Sequence, residues 1–163
     1  MQPVESFPIV KPGLMDEAAL CAFASRMAGA LQAPLVIYLE GDLGAGKTTF
    51  CRALIQSLGH EGRVKSPTYG LLERYDLRSG SVLHLDLYRI GDPGELEYLA
   101  IRDLVEDRTI LLVEWPERGQ GALPAPDLTI ALGHEDDQRF VILRAHSKRG
   151  YAVCRASTDL ASN

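Results

Sequence analysis

Residues 35–58 constrain the fold of this chain more than any other stretch. They read as a short apolar run, LVIYLE, a glycine-rich turn, GDLGAGKTT, and an amphipathic segment, FCRALIQSL. The turn at 41–48 matches the phosphate-binding loop pattern G-x-x-x-x-G-K-[ST], which requires a strand before it and a helix after it. Because the segment before the turn is apolar like a buried strand and the segment after it is amphipathic like a helix, the sequence predicts a strand–loop–helix unit and a phosphate site.

Each residue type in this loop suits phosphate binding. Its glycines permit positive φ angles, so successive backbone N–H groups can converge on phosphate oxygens. The N-terminus of the following helix adds further donors. We expect Lys47 to reach the β- and γ-phosphates and the Thr48 hydroxyl to ligate Mg²⁺. The predicted phosphate-binding residues are Gly41, Asp42, Leu43, Gly44, Ala45, Gly46, Lys47 and Thr48.

Length and composition fit one globular domain over residues 1–163, with a tail from about residue 156. Hydrophobic residues at 46% and charged residues at 24% exclude the disordered and fibrous classes. A net charge of −5 argues against binding nucleic acid through the overall field of the protein. The three cysteines have no metal-type spacing and are expected to be reduced, and Cys51 is predicted to pack within its helix. We expect a cytoplasmic protein, because we find no signal peptide and no apolar run that would span a membrane.

Hydrophobic periodicity places further elements around the loop. We expect a short edge strand over 5–10 and then a helix capped by Asp16. The buried face of that helix is predicted to carry Leu20, Phe23, Ala24, Met27 and Leu31. Strands are predicted over 35–39, 69–77, 81–87, 109–113, 128–132, 139–145 and 151–154, and one or two short helices over 92–107. The pattern of crossovers and hairpins predicts a mixed parallel/antiparallel sheet with helices on both faces.

Acidic residues on two strands are candidates to complete the site. Glu114 follows an apolar strand, where phosphate-loop proteins usually carry an Asp that holds Mg²⁺, and it is one methylene longer. Asp86 shares a strand face with His84, and the spacing alone favours a face exposed to solvent. If that strand lies beside the loop, Asp86 would hold the metal's waters or orient an attacking water. Thr68 fits either a plain turn or a switch segment that senses the γ-phosphate.

Four segments in this order resemble the TsaE family (formerly YjeE), small bacterial ATPases of tRNA threonylcarbamoyladenosine synthesis. They are GDLGAGKTTF at 41–50, VKSPTYGL at 64–71, HLDLYRIGDPGELEYLAIRD at 84–103 and VEWPERG at 113–119. The resemblance covers about residues 35–130. It implies an α/β P-loop NTPase fold, a three-layer sandwich, with weak Mg²⁺-dependent hydrolysis of ATP.

The resemblance also implies partners and residue roles. The chain would act on the TsaB–TsaD heterodimer to support its turnover, without transferring the threonylcarbamoyl group itself, and would meet tRNA only through that complex. By motif, Thr48 and Glu114 would ligate Mg²⁺, and Asp86 and Lys47 would serve hydrolysis. Further residues expected at the nucleotide are Thr49 after the loop, Ser66 and Thr68 of the switch-like segment, Trp115, and Asp16, Glu17 and Leu132 near the adenine. For His84, Tyr88 and Arg89, packing or a partner surface explains the residues as well as a role in the site does.

Two other functions fit the same loop. A small-molecule or nucleoside kinase would need an acceptor pocket and an arginine-bearing lid, for which Arg102 and Arg108 are the available residues. A nucleotide-gated binding module with negligible turnover stays open as an alternative, because the loop has no obvious catalytic arginine and position 114 is a glutamate in place of the usual aspartate.

Overall fold

Seven strands pair edge to edge in one sheet within the computed structural model, which describes residues 5–65, 67 and 71–161. The strands are β1 (Val10–Met15), β2 (Leu35–Glu40), β3 (Leu72–Leu77), β4 (Gly80–Asp86), β5 (Thr109–Glu114), β6 (Leu128–Glu135) and β7 (Gln138–Ala145). The helices are α1 (Glu17–Ala28), α2 (Lys47–Ser57), α3 (Gly94–Glu97), α4 (Ile101–Leu104) and α5 (Lys148–Ala161), and a 3₁₀ turn covers Pro116–Gly119.

The centre of the sheet is parallel and its outer pairings are antiparallel. The strand order is β1-β7-β6-β2-β5-β4-β3, in which β2 runs parallel to β5 and β6, and β4 runs parallel to β5. Glu114 is the register partner of both Leu39 and Asp86, so the carboxyl ends of β2, β5 and β4 meet at one edge. Ligands of open α/β sheets bind at that edge. The predicted mixed sheet is confirmed.

Helices cover both faces of the sheet. On one face α1, α2 and α5 pack over the larger buried cluster, which contains Phe23, Phe50 and Val153. On the other face α3 and α4 contribute Leu96 and Ile101 to a smaller cluster. The side chains of β2 alternate between the two clusters, as expected for a strand buried on both sides. The result is the three-layer α/β sandwich that the sequence predicted.

Helix α1 begins and packs as its sequence predicts. The Asp16 carboxylate accepts a hydrogen bond of 2.7 Å from the backbone N–H of Ala19, which satisfies one of the free donors of the first turn. The buried residues of the helix include Leu20, Phe23, Ala24 and Met27. Leu31, which we assigned to the same face, lies beyond the end of the helix but still packs against the core.

The edge strand lies further along the chain than predicted. The expectation over 5–10 is wrong, because β1 is Val10–Met15 and includes the Pro12-Gly13 pair. Among the described strands, β1 pairs with β7 alone, and its register shifts between Val10 and Gly13. An edge strand with such an irregularity tolerates a proline, since one row of its backbone groups needs no partner in the sheet.

The predicted strand over 151–154 is wrong, because those residues belong to α5. The run Tyr-Ala-Val-Cys is too short to reveal its period by itself. In the helix, Val153, Cys154 and Ser157 are buried at helical spacing, where α5 packs against β7 and α1. The helix also includes residues 156–161, which we expected to form a tail.

The remaining predicted elements agree with the structure. β3 and β4 form the expected hairpin; residues 69 and 70 of the predicted first strand lie outside the described residues. Two short helices, α3 and α4, occupy the segment 92–107. Cys51 is fully buried within α2, as predicted. Among the described helices, none has the length and apolar character needed to cross a membrane.

Asp127 joins the amino ends of β2 and β6 to the start of α5. One carboxylate oxygen accepts a hydrogen bond of 2.8 Å from the Val36 N–H, and the other accepts one of 2.7 Å from the Ser147 hydroxyl. The Asp127 backbone N–H donates to the Val36 carbonyl, and the Asp127 carbonyl accepts from the His146 N–H. One side chain therefore connects three elements at the end of the sheet opposite the glycine-rich loop.

We predict that Asp127→Ala lowers the free energy of unfolding by about 2–4 kcal/mol, because it leaves the Val36 N–H without its carboxylate acceptor and releases Ser147. Urea denaturation of the variant and of Asp137→Ala, which removes an exposed aspartate, measures the difference. Equal stability of the two variants would contradict the assigned role of Asp127.

Candidate functional site

The glycine-rich loop connects the end of β2 to the start of α2 at the edge where the parallel strands end. Gly41, Gly44 and Gly46 have φ angles of 148°, 81° and 104°, which side-chain-bearing residues rarely adopt. A Cβ atom on Gly41 would lie 2.3 Å from the Leu132 carbonyl oxygen of β6. Glycine at position 41 is therefore required both by the backbone conformation and by the close approach of β6.

Lys47 is directed back over its own loop. Its amino group donates hydrogen bonds to the carbonyls of Gly41 and Asp42, the latter at 3.2 Å, and lies 3.7 Å from the centroid of the Trp115 ring. Burial lowers the pKa of this amine, and the carboxylates of Glu114, Glu117, Asp86 and Asp42 oppose the shift. The lysine cation is held at the mouth of the loop by backbone oxygens and an aromatic face.

The Glu114 carboxylate lies at the centre of the site. One oxygen accepts a hydrogen bond of 2.9 Å from the Thr48 hydroxyl of α2. The other lies 2.7 Å from Nε2 of His84 on β4, and the Nε2–H donates because a carboxylate can only accept. Glu114 and His84 are both buried. The structure thus joins Thr48 and Glu114, the two predicted metal ligands, and their oxygens form a donor set that suits Mg²⁺.

Asp86 ends β4 beside Glu114. Its carboxylate accepts a hydrogen bond of 3.0 Å from the Tyr88 N–H. Burial raises the pKa of Asp86, with a smaller contribution from Glu114, against the lowering effect of the Tyr88 hydrogen bond. The expectation that spacing favours an exposed face for Asp86 and His84 is wrong, because both side chains are buried. β4 lies between β3 and β5 rather than at an edge, and α2 covers this face.

A cavity of about 300 Å³ collects most of the predicted residues. Its lining consists of loop residues 43–49 with Asp86, Tyr88, Arg89, Glu114, Trp115 and Arg139. Gly41 and Asp42 lie at the start of the loop, where their carbonyls contact Lys47. Glu17 is exposed in the first turn of α1 and is not among the lining residues. Ser66 and Thr68 lie outside the described residues.

Two residues of the β6–β7 hairpin hold the loop from its other side, and neither was predicted. His134 donates through Nε2 to the Gly44 carbonyl at 2.7 Å, and Arg139 donates through Nε to the Ala45 carbonyl at 3.2 Å. The hairpin lies about 90 residues after the loop in sequence and carries no motif, so only the parallel pairing of β2 with β6 brings it there. The register of that pairing is not readable from the sequence.

A third missed residue, Arg118, supports the aromatic wall of the cavity. Its guanidinium donates to the Tyr88 carbonyl and lies 5.0 Å from the Tyr88 ring and 5.2 Å from the Trp115 ring. The two rings are themselves 5.1 Å apart. Tyr88 and Trp115 are therefore fixed beside Lys47 by a cation that stacks on both of them.

The parallel strands, the glycine-rich loop and the helix that follows it define an α/β protein of the P-loop type. The protein-family model described as threonylcarbamoyl adenosine biosynthesis protein TsaE matches residues 14–141. The chain therefore belongs to the TsaE family, which functions in tRNA threonylcarbamoyladenosine biosynthesis. The resemblance recognised in the sequence is confirmed.

Individual relatives agree with this assignment. The chain is 42% identical over 149 residues to the tRNA threonylcarbamoyladenosine biosynthesis protein TsaE of Haemophilus influenzae. The matched residues cover 88% of this chain and 94% of that protein. It is 35% identical over 120 residues to the protein of the same name from Bacillus subtilis, covering 73% and 75% of the two chains. A crystal structure of B. subtilis YdiB is similar with a TM-score of 0.79 and 26% identity, over 96% of this chain and 97% of that one.

We predict that Asp86→Asn raises the melting temperature at neutral pH. The pKa of Asp86 is higher in the folded than in the unfolded protein, so the charged carboxylate lowers the stability at pH values above the folded-state pKa. This cost disappears as the pH falls to the unfolded-state pKa, because the carboxyl group is then protonated in both states. The amide keeps an oxygen that accepts from the Tyr88 N–H. A gain of about 1 kcal/mol corresponds to roughly 2–4 °C in a domain of this size.

Thermal denaturation from neutral to mildly acidic pH measures this effect. The difference between the variant and the unmodified protein should shrink as the pH falls, because the unmodified carboxyl becomes neutral. Asp103→Asn, at an exposed position of α4, is the control and should leave the melting temperature unchanged. A lower melting temperature for Asp86→Asn at neutral pH would disprove the assigned cost.

Proposed function

We propose that this chain binds ATP with Mg²⁺ at the glycine-rich loop, hydrolyses it slowly, and uses the cycle to support turnover of the TsaB–TsaD complex. One observation carries the proposal: the phosphate-type loop, the Thr48–Glu114 pair and Asp86 face a single cavity at the carboxyl ends of the parallel strands. Membership of a family in tRNA threonylcarbamoyladenosine biosynthesis supports the biological setting.

The loop and Lys47 would hold the phosphates. Backbone N–H groups of the loop and of the first turn of α2 supply donors, and the N-terminal end of α2 favours negative charge. Lys47 would exchange the carbonyls of Gly41 and Asp42 for phosphate oxygens, because ionised acceptors make the stronger hydrogen bonds. Thr49 and Arg139, which also line the cavity, lie where they can contact the same ligand.

Thr48 and Glu114 would hold Mg²⁺, since their adjacent hydroxyl and carboxylate oxygens match the preference of this ion for oxygen ligands. The ion, when bound, supplies positive charge to the β- and γ-phosphates. Asp86 would orient the water that attacks the γ-phosphate, because its carboxylate lines the cavity in an orientation fixed by the Tyr88 N–H. Thr68 stays a prediction as the sensor of the γ-phosphate.

Membership of a family in tRNA threonylcarbamoyladenosine biosynthesis supports the proposed role toward the complex. The chain would promote turnover of TsaB–TsaD, whose TsaD member transfers the threonylcarbamoyl group, and would not transfer the group itself. A net charge of −5 favours contact with tRNA through these partners rather than through this chain alone.

Trp115 gives a direct test of nucleotide binding, since it is the single tryptophan of the chain. We predict that ATP with Mg²⁺ changes its fluorescence, because the Lys47 cation leaves the indole face for the phosphates. Lys47→Ala should weaken nucleotide binding at least about tenfold, equivalent to about 1.4 kcal/mol. Lys148→Ala, an exposed lysine on α5, is the matched control and should bind as the unmodified protein does. Unchanged affinity of Lys47→Ala would rule out its phosphate role.

Phosphate release tests hydrolysis and its coupling to partners. We predict slow release by the chain alone, a marked rise when TsaB–TsaD is added, and loss of that rise in Lys47→Ala and Asp86→Ala. Asp86→Ala should still bind nucleotide, because its proposed role begins with the attacking water. Equal, near-zero release with and without partners would indicate a nucleotide-gated binding module instead. A phosphorylated metabolite or nucleoside as product would indicate a kinase.

A further inference from the structure

We propose that His84 is a positioning residue of the site, which fixes the Glu114 carboxylate so that its other oxygen faces Thr48 and the metal. This inference rests on the proposed binding of ATP and Mg²⁺. The geometry that points to it is a continuous chain of two hydrogen bonds. His84 Nε2 lies 2.7 Å from one oxygen of Glu114, and Thr48 Oγ1 lies 2.9 Å from the other.

Glu114 needs such a partner because of its length. A glutamate has one more rotatable bond than the aspartate usual at this strand end, and ordering it costs more conformational entropy. Its side chain is only 2% exposed, so protein donors rather than bulk water must satisfy most of its hydrogen bonds. A buried carboxylate oxygen without a donor would be costly. His84 satisfies one oxygen, which leaves the oxygen that contacts Thr48 as the one through which the carboxylate can act.

Stability alone does not explain a histidine at position 84. The ring is completely buried, and its Nδ1 has no hydrogen-bond partner among the described residues. Cys51 offers little help, because burial raises the pKa of its thiol well above the ordinary value and a neutral thiol is a weak donor. If position 84 carried an apolar side chain and position 114 a shorter acid or none, the cost of the unpaired nitrogen would be avoided. A polar pair retained at such a cost is expected where it serves a site.

The geometry of the amide side chains provides a sharp comparison. A glutamine amide nitrogen can occupy nearly the place of the imidazole Nε2, whereas the asparagine amide reaches only as far as Nδ1. His84→Gln can therefore donate to Glu114, and His84→Asn is too short to do so. His84→Leu removes the donor with little change in volume. Leu85→Ala, on the same strand but the opposite face, reproduces a loss of core packing without touching Glu114.

The experiment separates metal affinity from nucleotide affinity and from activity. Binding of Mn²⁺, as a spectroscopic substitute for Mg²⁺, is measured by electron paramagnetic resonance on protein saturated with the slowly hydrolysed analogue ATPγS. Binding of ATPγS without metal is measured by Trp115 fluorescence, and folding by thermal denaturation. We expect His84→Leu and His84→Asn to weaken Mn²⁺ binding by about 10–100-fold, the effect usual for a residue that orients a metal ligand. Metal-free ATPγS binding should change by no more than about twofold.

His84→Gln should retain most of the Mn²⁺ affinity, and Leu85→Ala should retain all of it despite a lower melting temperature. Unchanged Mn²⁺ affinity in His84→Asn overturns the inference, as does equal weakening in Leu85→Ala or in His84→Gln. If His84→Leu does not fold, the asparagine and glutamine pair decides by itself. Failure of the unmodified protein to bind ATPγS with or without Mn²⁺ would instead refute the proposed function, and the inference with it.

Discussion

The carboxylate of Glu114 holds the site together. It is buried at the end of β5, and its two oxygens connect α2 through Thr48 to β4 through His84. This connection is possible because β5 lies between β2 and β4 and runs parallel to both. The helix that follows β2 and the last residues of β4 are thereby brought to the same point. A glutamate reaches both neighbours, and the pairing of the strands determines which neighbours those are.

The glycine-rich loop lies between two groups of strands. On one side the acids of β4 and β5 face the cavity, and on the other the β6–β7 hairpin contacts the loop carbonyls through His134 and Arg139. These contacts orient the carbonyls of Gly44 and Ala45 outward, toward the hairpin. The conformation of the loop is consequently held by side chains far away in the sequence.

Local sequence signals predicted the parts of the site that lie next to each other in the chain. The strand–loop–helix unit needs only residues 35–58, and Glu114 is marked by the apolar strand that it ends. Asp86 was misjudged as part of an exposed face because alternation along β4 shows two faces but not what covers them. What covers the faces of β4 depends on the position of this strand between β3 and β5 and on the packing of α2.

The other differences between prediction and structure have the same origin. The four apolar residues 151–154 fit a strand or a helix, and contacts with β7 and α1 decide for the helix. Residues 5–10 and Val10–Met15 both satisfy the pattern of an edge strand, and the register with β7 selects the second. His134 and Arg139 acquire their role only from the pairing of β6 with β2. Tertiary contacts are thus the information that a single sequence does not display.

The polar groups of the cavity explain why a charged ligand suits it. Burial lowers the pKa of Lys47 and raises that of Asp86, so both groups are less favourably charged than they would be in water. Lys47 compensates with backbone carbonyls and the Trp115 ring, which are weaker partners than an anion. Under the proposed function, phosphate oxygens would provide that anion, and the metal would provide the cation that the neighbouring carboxylates favour. The ligand would then offset the part of the cost of these buried charges that the fold leaves uncompensated.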